Sequence, residues 1–90
     1  MASVEKFTAL VLVTGESNVE IESQILATLA PFTIKMLDKQ SMDIRGRYFL
    51  ALLFTLDPAH ARAIEKDLLL TSENLNVDLA IDFRDYPVEL

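Results

Sequence analysis

The sequence predicts an α+β fold: a four-stranded antiparallel sheet built in the order strand–helix–strand–strand–helix–strand, with both helices on one face. Two observations carry this expectation. Residues 7–14 and 47–56 are apolar at nearly every position, as strands covered front and back must be. Residues 33–44 and 75–84 carry polar side chains, as strands at a sheet edge do. A sheet of order 4-1-3-2 places the first and third strands in the middle and the second and fourth at the edges. Pattern and topology therefore agree, and the arrangement is the ferredoxin-like βαββαβ fold.

The elements follow in order. Residues 1–6 read as an N-terminal tail. In the first strand, Phe7 to Thr14, Phe7, Ala9, Val11 and Val13 share one side and Leu10 and Leu12 the other. Gly15 to Asn18 breaks the pattern, and Ser17 followed by Glu20 three positions later matches a capping box. A helix then spans Val19 to Ala30, with Ile21, Ile25, Leu26 and Leu29 on its inner stripe and Pro31 ending it. The second strand, Thr33 to Ile44, has Ile34, Met36, Met42 and Ile44 on the same parity as Asp38 and Gln40. That mixture predicts a bulge or bend near Asp38 and Lys39. Arg45-Gly46 makes a tight hairpin turn with Gly46 at positive φ. Asp57-Pro58 starts the second helix, which runs to about Thr71 or Ser72 with Ala61, Ile64 and Leu68 inward. Residues 72–74 read as a loop. In the last strand, Leu75 to Arg84, Leu75, Val77, Leu79, Ile81 and Phe83 alternate with Asn76, Asp78, Ala80, Asp82 and Arg84. Pro87 stops it, and residues 85–90 read as a C-terminal tail or the start of a linker.

Composition narrows the function. Ninety residues, 51% hydrophobic and 24% charged, suit one small globular domain of low net stability. With no cysteine there is no disulfide or thiolate metal site. No apolar run reaches the roughly 18 residues of a membrane span. The N-terminus lacks signal-peptide architecture, so a cytoplasmic location is expected. A net charge of −6 repels polyanions, which argues against nucleic acid and anionic membranes as partners.

The helix-free face of this sheet should expose apolar side chains from the two central strands. Parity leaves two sets: Leu10, Leu12, Leu50, Leu52 and Phe54, or Val11, Val13, Phe49 and Leu53. The first set is taken as the candidate interface. A patch of several hundred Å² on a lone domain points to a homodimer or a partner domain.

No catalytic constellation is legible. His60 is the only histidine and has no cysteine with which to build a usual zinc site. Asp78, Asp82 and Asp85 lie on or beyond the polar side of the last strand, where a solvated edge explains them better than a cation site. No glycine-rich phosphate loop occurs, which also counts against a free-standing acylphosphatase on this fold. Arg45-Gly46-Arg47 with Phe49 partly matches the third-strand motif of RNA-recognition folds. Arg47 and Leu52, however, stand where that motif needs rings. No metal or cofactor is expected.

Three short pieces carry a family likeness over residues 7–84: Val13-Thr14-Gly15, Ile44-Arg45-Gly46-Arg47 and Leu75-Asn76-Val77-Asp78. Through them the chain resembles an ACT domain, most like the N-terminal ACT region of actinobacterial-type phosphoserine phosphatases. The resemblance implies a regulatory domain in amino-acid metabolism, often dimeric, with a small amino-acid effector bound at the loop after the first strand. That loop in the family reads roughly Gly-x-Asp-Arg-Pro-Gly, and here it is Gly15-Glu16-Ser17-Asn18-Val19-Glu20. The candidate ligand positions are therefore Gly15, Ser17, Asn18 and Glu20. Glu20 puts a side chain where backbone approach is needed. Glu16, Glu20 and Glu22 surround a helix N-terminus that would otherwise attract a carboxylate. The Asp-x-Asp motif of the phosphatase catalytic domain is absent, so the resemblance implies the non-catalytic piece of such an enzyme. The leading expectation is an assembly and regulatory module of a serine-biosynthesis enzyme; the alternative is a sensor of serine or glycine near Gly15 to Glu20.

Overall fold

The computed structural model describes the backbone of residues 3–89. Its elements are β1 (Ser3–Glu16), α1 (Glu20–Leu29), β2 (Lys35–Ile44), β3 (Arg47–Thr55), a 3-10 turn (Pro58–His60), α2 (Ala61–Leu75) and β4 (Asp78–Glu89). The antiparallel sheet has the order β2-β3-β1-β4, which is the expected 4-1-3-2 read from the other edge. The fold is the expected ferredoxin-like one.

Why the strands sit where they do follows from their side chains. β1 and β3 pair along nine positions, with Val11 opposite Leu52 and Leu12 opposite Ala51. Being apolar on both sides, these two gain most from a central place. β2 pairs with β3 alone, and its register slips between Met36 and Asp38, so the expected bulge is present and centred on Leu37. Arg45 at φ 48 and Gly46 at φ 87 form a two-residue turn with both residues left-handed, the geometry that matches strand twist.

The core lies between the sheet and the helices. Ile21, Ile25 and Leu29 from α1 and Ile64 and Leu68 from α2 pack on Ala9, Val11, Val13, Leu50, Leu52 and Phe54. Their helical spacing of three or four residues puts each set on one stripe. Thr28 and Thr71 join the two helices through a hydroxyl–hydroxyl hydrogen bond of 2.6 Å. The rings of Phe7 and Phe83 stack at 5.8 Å between centroids and help to close one end of this layer. Two buried polar side chains are satisfied locally. Thr8 donates to the Arg84 carbonyl at 2.9 Å and Ser72 to the Leu69 carbonyl at 2.7 Å.

Several expectations need correction. The capping box at Ser17 does not form. Val19 takes the N-cap position without a side-chain bond, and Asn18 Oδ1 accepts from the Glu20 N–H at 2.9 Å instead. The second helix does not stop at Ser72. Leu75 extends the stripe of Ile64, Leu68 and Ser72, and Asn76 ends the helix at φ 58, a conformation asparagine tolerates. Leu75 to Val77 therefore precede the last strand. The terminal segments, expected as tails, are strands: β1 begins at Ser3 and pairs with β4 as far as Glu89. Pro87 sits opposite Glu5 within this pairing, on an edge strand where a missing N–H is tolerated. Residues 1, 2 and 90 of those expected tails lie outside the described residues.

Candidate functional site

Two surfaces of the fold could do work: the uncovered sheet face, and the sheet end where β1 and β2 finish and β3 and β4 begin.

The uncovered face is apolar at its centre. Leu10 is 37% exposed, Leu12 49%, Phe49 38%, Met42 58% and Ile44 54%. Ala51 and Leu53 are half-buried between them. Together Leu12, Met42, Phe49 and Ala51, with Thr14 and Gln40, line a concavity of about 410 Å³. Charges stand around it. Arg47 Nε donates to Thr14 Oγ1 at 3.1 Å, and Arg47 Nη2 lies 3.6 Å from Asp78. Arg84 Nη2 lies 2.5 Å from Asp82. These pairs are well exposed, so each is worth at most about 1 kcal/mol.

This overturns part of the expected interface. Leu10 and Leu12 do face outward, but Leu50, Leu52 and Phe54 are buried under the helices. The outward residues of β3 are Phe49, Ala51 and Leu53. The reason is register. Leu10 pairs with Leu53 and Val11 with Leu52, so the outward parity of β1 meets the opposite parity of β3 from the one expected.

At the sheet end, Glu16, Ser17, Asn18, Gly46, Leu75 and Asn76 line a polar concavity of about 420 Å³. Asp43 stitches the loop after β1 to the hairpin turn. Its carboxylate accepts from the Ser17 hydroxyl and, at 3.0 Å, from the Gly46 N–H. The Ser17 N–H donates to the Gly46 carbonyl at 2.7 Å. Of the four candidate ligand positions, the structure brings Ser17 and Asn18 together here. Glu20 does not line the concavity, and its backbone N–H is taken by Asn18. Gly15 serves packing: a Cβ there would lie 2.6 Å from Val77 Cγ1. Gly15→Ala is therefore expected to cost about 1–3 kcal/mol through overpacking. Urea titration should show that loss, and Val77→Ala in the same chain should recover most of it.

Sequence reasoning missed Asp43, Gly46, Leu75 and Asn76 as neighbours of this loop. Their common position at one end of a βαββαβ sheet was the available signal. The lone His60 lies in the 3-10 turn, tilted against Phe32 at 6.2 Å between ring centroids. Among the described residues no group of three or more His, Asp or Glu side chains is placed to hold a metal ion. Among them, too, no helix is long and apolar enough to cross a membrane.

A family model for the ACT domain matches residues 8–82. The chain belongs to the ACT domain family. ACT domains are regulatory, non-catalytic units. Solved structures share the fold of this ACT domain. One is provisionally assigned as a glycine cleavage system transcriptional repressor (TM-score 0.81, 14% identity, 92% of this chain and 49% of that one). Another is a formyltetrahydrofolate deformylase from Pseudomonas putida KT2440 (TM-score 0.74, 17% identity, 83% and 28%). A third is an ACT domain protein from Streptococcus pneumoniae (TM-score 0.74, 14% identity, 87% and 90%). The chain thus spans about half of the first of these proteins and about a quarter of the second. No curated protein matches it by sequence.

Proposed function

We propose that this ACT domain is a regulatory and assembly module of an amino-acid biosynthesis enzyme, acting through dimer or interdomain contacts at its uncovered sheet face. The observation that supports this most directly is the row of Leu10, Leu12, Phe49, Met42 and Ile44 left exposed on a sheet otherwise well packed. A fold shared with a repressor and with an enzyme fits a unit appended to different functional chains. The pieces Val13-Thr14-Gly15 and Ile44-Arg45-Gly46-Arg47 support a cytoplasmic phosphoserine phosphatase, and so L-serine biosynthesis, as the parent. Sequencing the gene beyond Leu90 tests the parent directly. A following Asp-x-Asp phosphatase domain is expected, and a different catalytic domain would exclude it.

The second reading is a sensor of serine or glycine, favoured by the polar concavity at Ser17 and Asn18. The local charge opposes it. Glu16 lines that concavity, and Glu20 and Glu22 stand in the first turn of α1, repelling a ligand carboxylate. Titrating L-serine or glycine into isotope-labelled protein separates the readings. Amides of Gly15, Ser17 and Asn18 are expected to stay unmoved at millimolar ligand; saturable shifts there would establish sensing.

A further inference from the structure

Past its bulge, β2 lies beyond the cover of the helices. Every residue from Asp38 to Ile44 is exposed. Register sets Lys39, Ser41 and Asp43 opposite Leu52, Leu50 and Tyr48, and so on the helix side of the sheet. All three are polar, so no apolar packing fastens this half of β2 to the helix layer. Side-chain bonds do so instead. Lys39 Nζ reaches Glu22 of α1 at 3.1 Å, and Asp43 reaches the loop that precedes α1.

The two oxygens of the Asp43 carboxylate divide the task. Oδ2 accepts from the Ser17 hydroxyl, and Oδ1 accepts from the Gly46 N–H at 3.0 Å. The Ser17 N–H completes a closed cycle by donating to the Gly46 carbonyl at 2.7 Å. Ser17 and Asp43 stand 26 positions apart, so the cycle joins two separate segments of chain. Side chains alternate along a strand, so Met42 and Ile44, which flank Asp43, project from the opposite, uncovered face. Each is one planar peptide unit away from Asp43, and a displacement of Asp43 passes to both.

From this geometry we propose that Asp43 is a positioning residue that couples the loop after β1 to the uncovered sheet face. With the cycle closed, the loop and the tip of the β2–β3 hairpin move as one. A group that takes the Ser17 hydroxyl opens the cycle and frees the strand that carries Met42 and Ile44. The bonds of Asp43 are exposed, so water competes for them and the cycle opens at low cost. The consequence for partner contacts rests on the reading of the face as an assembly surface. The coupling does not, because it belongs to the single chain.

Nuclear magnetic resonance on methyl- and amide-labelled chain tests this, with Ser17→Ala made in three backgrounds: unaltered, Asp43→Ala and Asp43→Asn. In the unaltered background Ser17→Ala is expected to shift the methyl signals of Met42 and Ile44 and to speed exchange of the Gly46 amide about 3- to 10-fold. With Asp43→Ala already present, the same substitution should move neither, since the bridge is gone. Asp43→Asn should keep the response, because its amide oxygen still accepts from Gly46 and its NH2 donates to the Ser17 oxygen. Both sites are exposed, so far-UV circular dichroism should not change. Methyl signals that ignore Ser17→Ala overturn the coupling. Equal shifts with and without the Asp43 side chain overturn the role of Asp43. Binding of the apolar dye ANS, with Leu12→Glu as the blank, reports on the face separately. Shifted methyls without dye binding leave the coupling standing and remove the assembly surface; dye bound at Leu12 with unmoved methyls does the reverse.

Discussion

Leu52→Glu is expected to leave the chain unfolded, while Leu12→Glu keeps native circular dichroism. Both leucines lie on central strands that are apolar on both sides. Leu52 is fully buried, flanked by Val11 on β1 and Lys39 on β2, beneath the helices. A carboxylate there would lose its water. Lys39, its lateral neighbour, is already engaged with Glu22 at 3.1 Å. Removing a buried leucine costs about 2–5 kcal/mol, and stranding a charge adds several more. A domain of this size holds about 5–15 kcal/mol in total, so little or no native population should remain. Leu12 is half exposed on the other face, and a glutamate there keeps its solvent. A folded Leu52→Glu chain would mean that β3 presents its other parity to the helices.

Phe54→Ala is expected to cost about 3–5 kcal/mol, the usual loss for a buried ring. The fully buried Phe54 sits opposite Ala9 on β1 and Met36 on β2. A small residue beside a large one lets the ring occupy space that no other side chain fills. Truncation leaves a hole that Ala9 cannot close. In urea, with a slope of about 1–3 kcal/mol/M, the midpoint should fall by at least about 1 M with the slope unchanged. A midpoint that does not move would show that the ring is peripheral to the core.

The elements were largely legible because their signals are local. Asp57-Pro58 starts a helix wherever it stands: the Asp57 carboxylate caps the Ala59 N–H at 2.9 Å. Gly46 makes its turn because few other residues accept φ near 87°. Ile21, Ile25 and Leu29 mark one stripe by spacing alone. Misreadings arose where two local signals competed. Leu75 satisfies both the strand alternation of Val77 and Leu79 and the helical stripe of Leu68 and Ser72. Continuing an existing helix into packed contacts prevails over starting a strand early. Ser17 has the side chain of a cap, but Asp43, remote in sequence, takes its hydroxyl. The candidate loop was found for its resemblance; its surroundings were not, because Asp43, Gly46 and Asn76 reach it only through the chain's return to the same sheet end.

By itself the sequence determined the order of elements, the central and edge strands, and the excess of apolar surface on the middle pair. Only the tertiary structure decided which leucines are hidden and which are offered to a partner. Alternation assigns each residue a side within its own strand, but a strand apolar on both sides carries no mark of which side faces the helices. That choice is made by pairing Val11 with Leu52 rather than with a neighbour one step away, and pairing belongs to two distant segments at once.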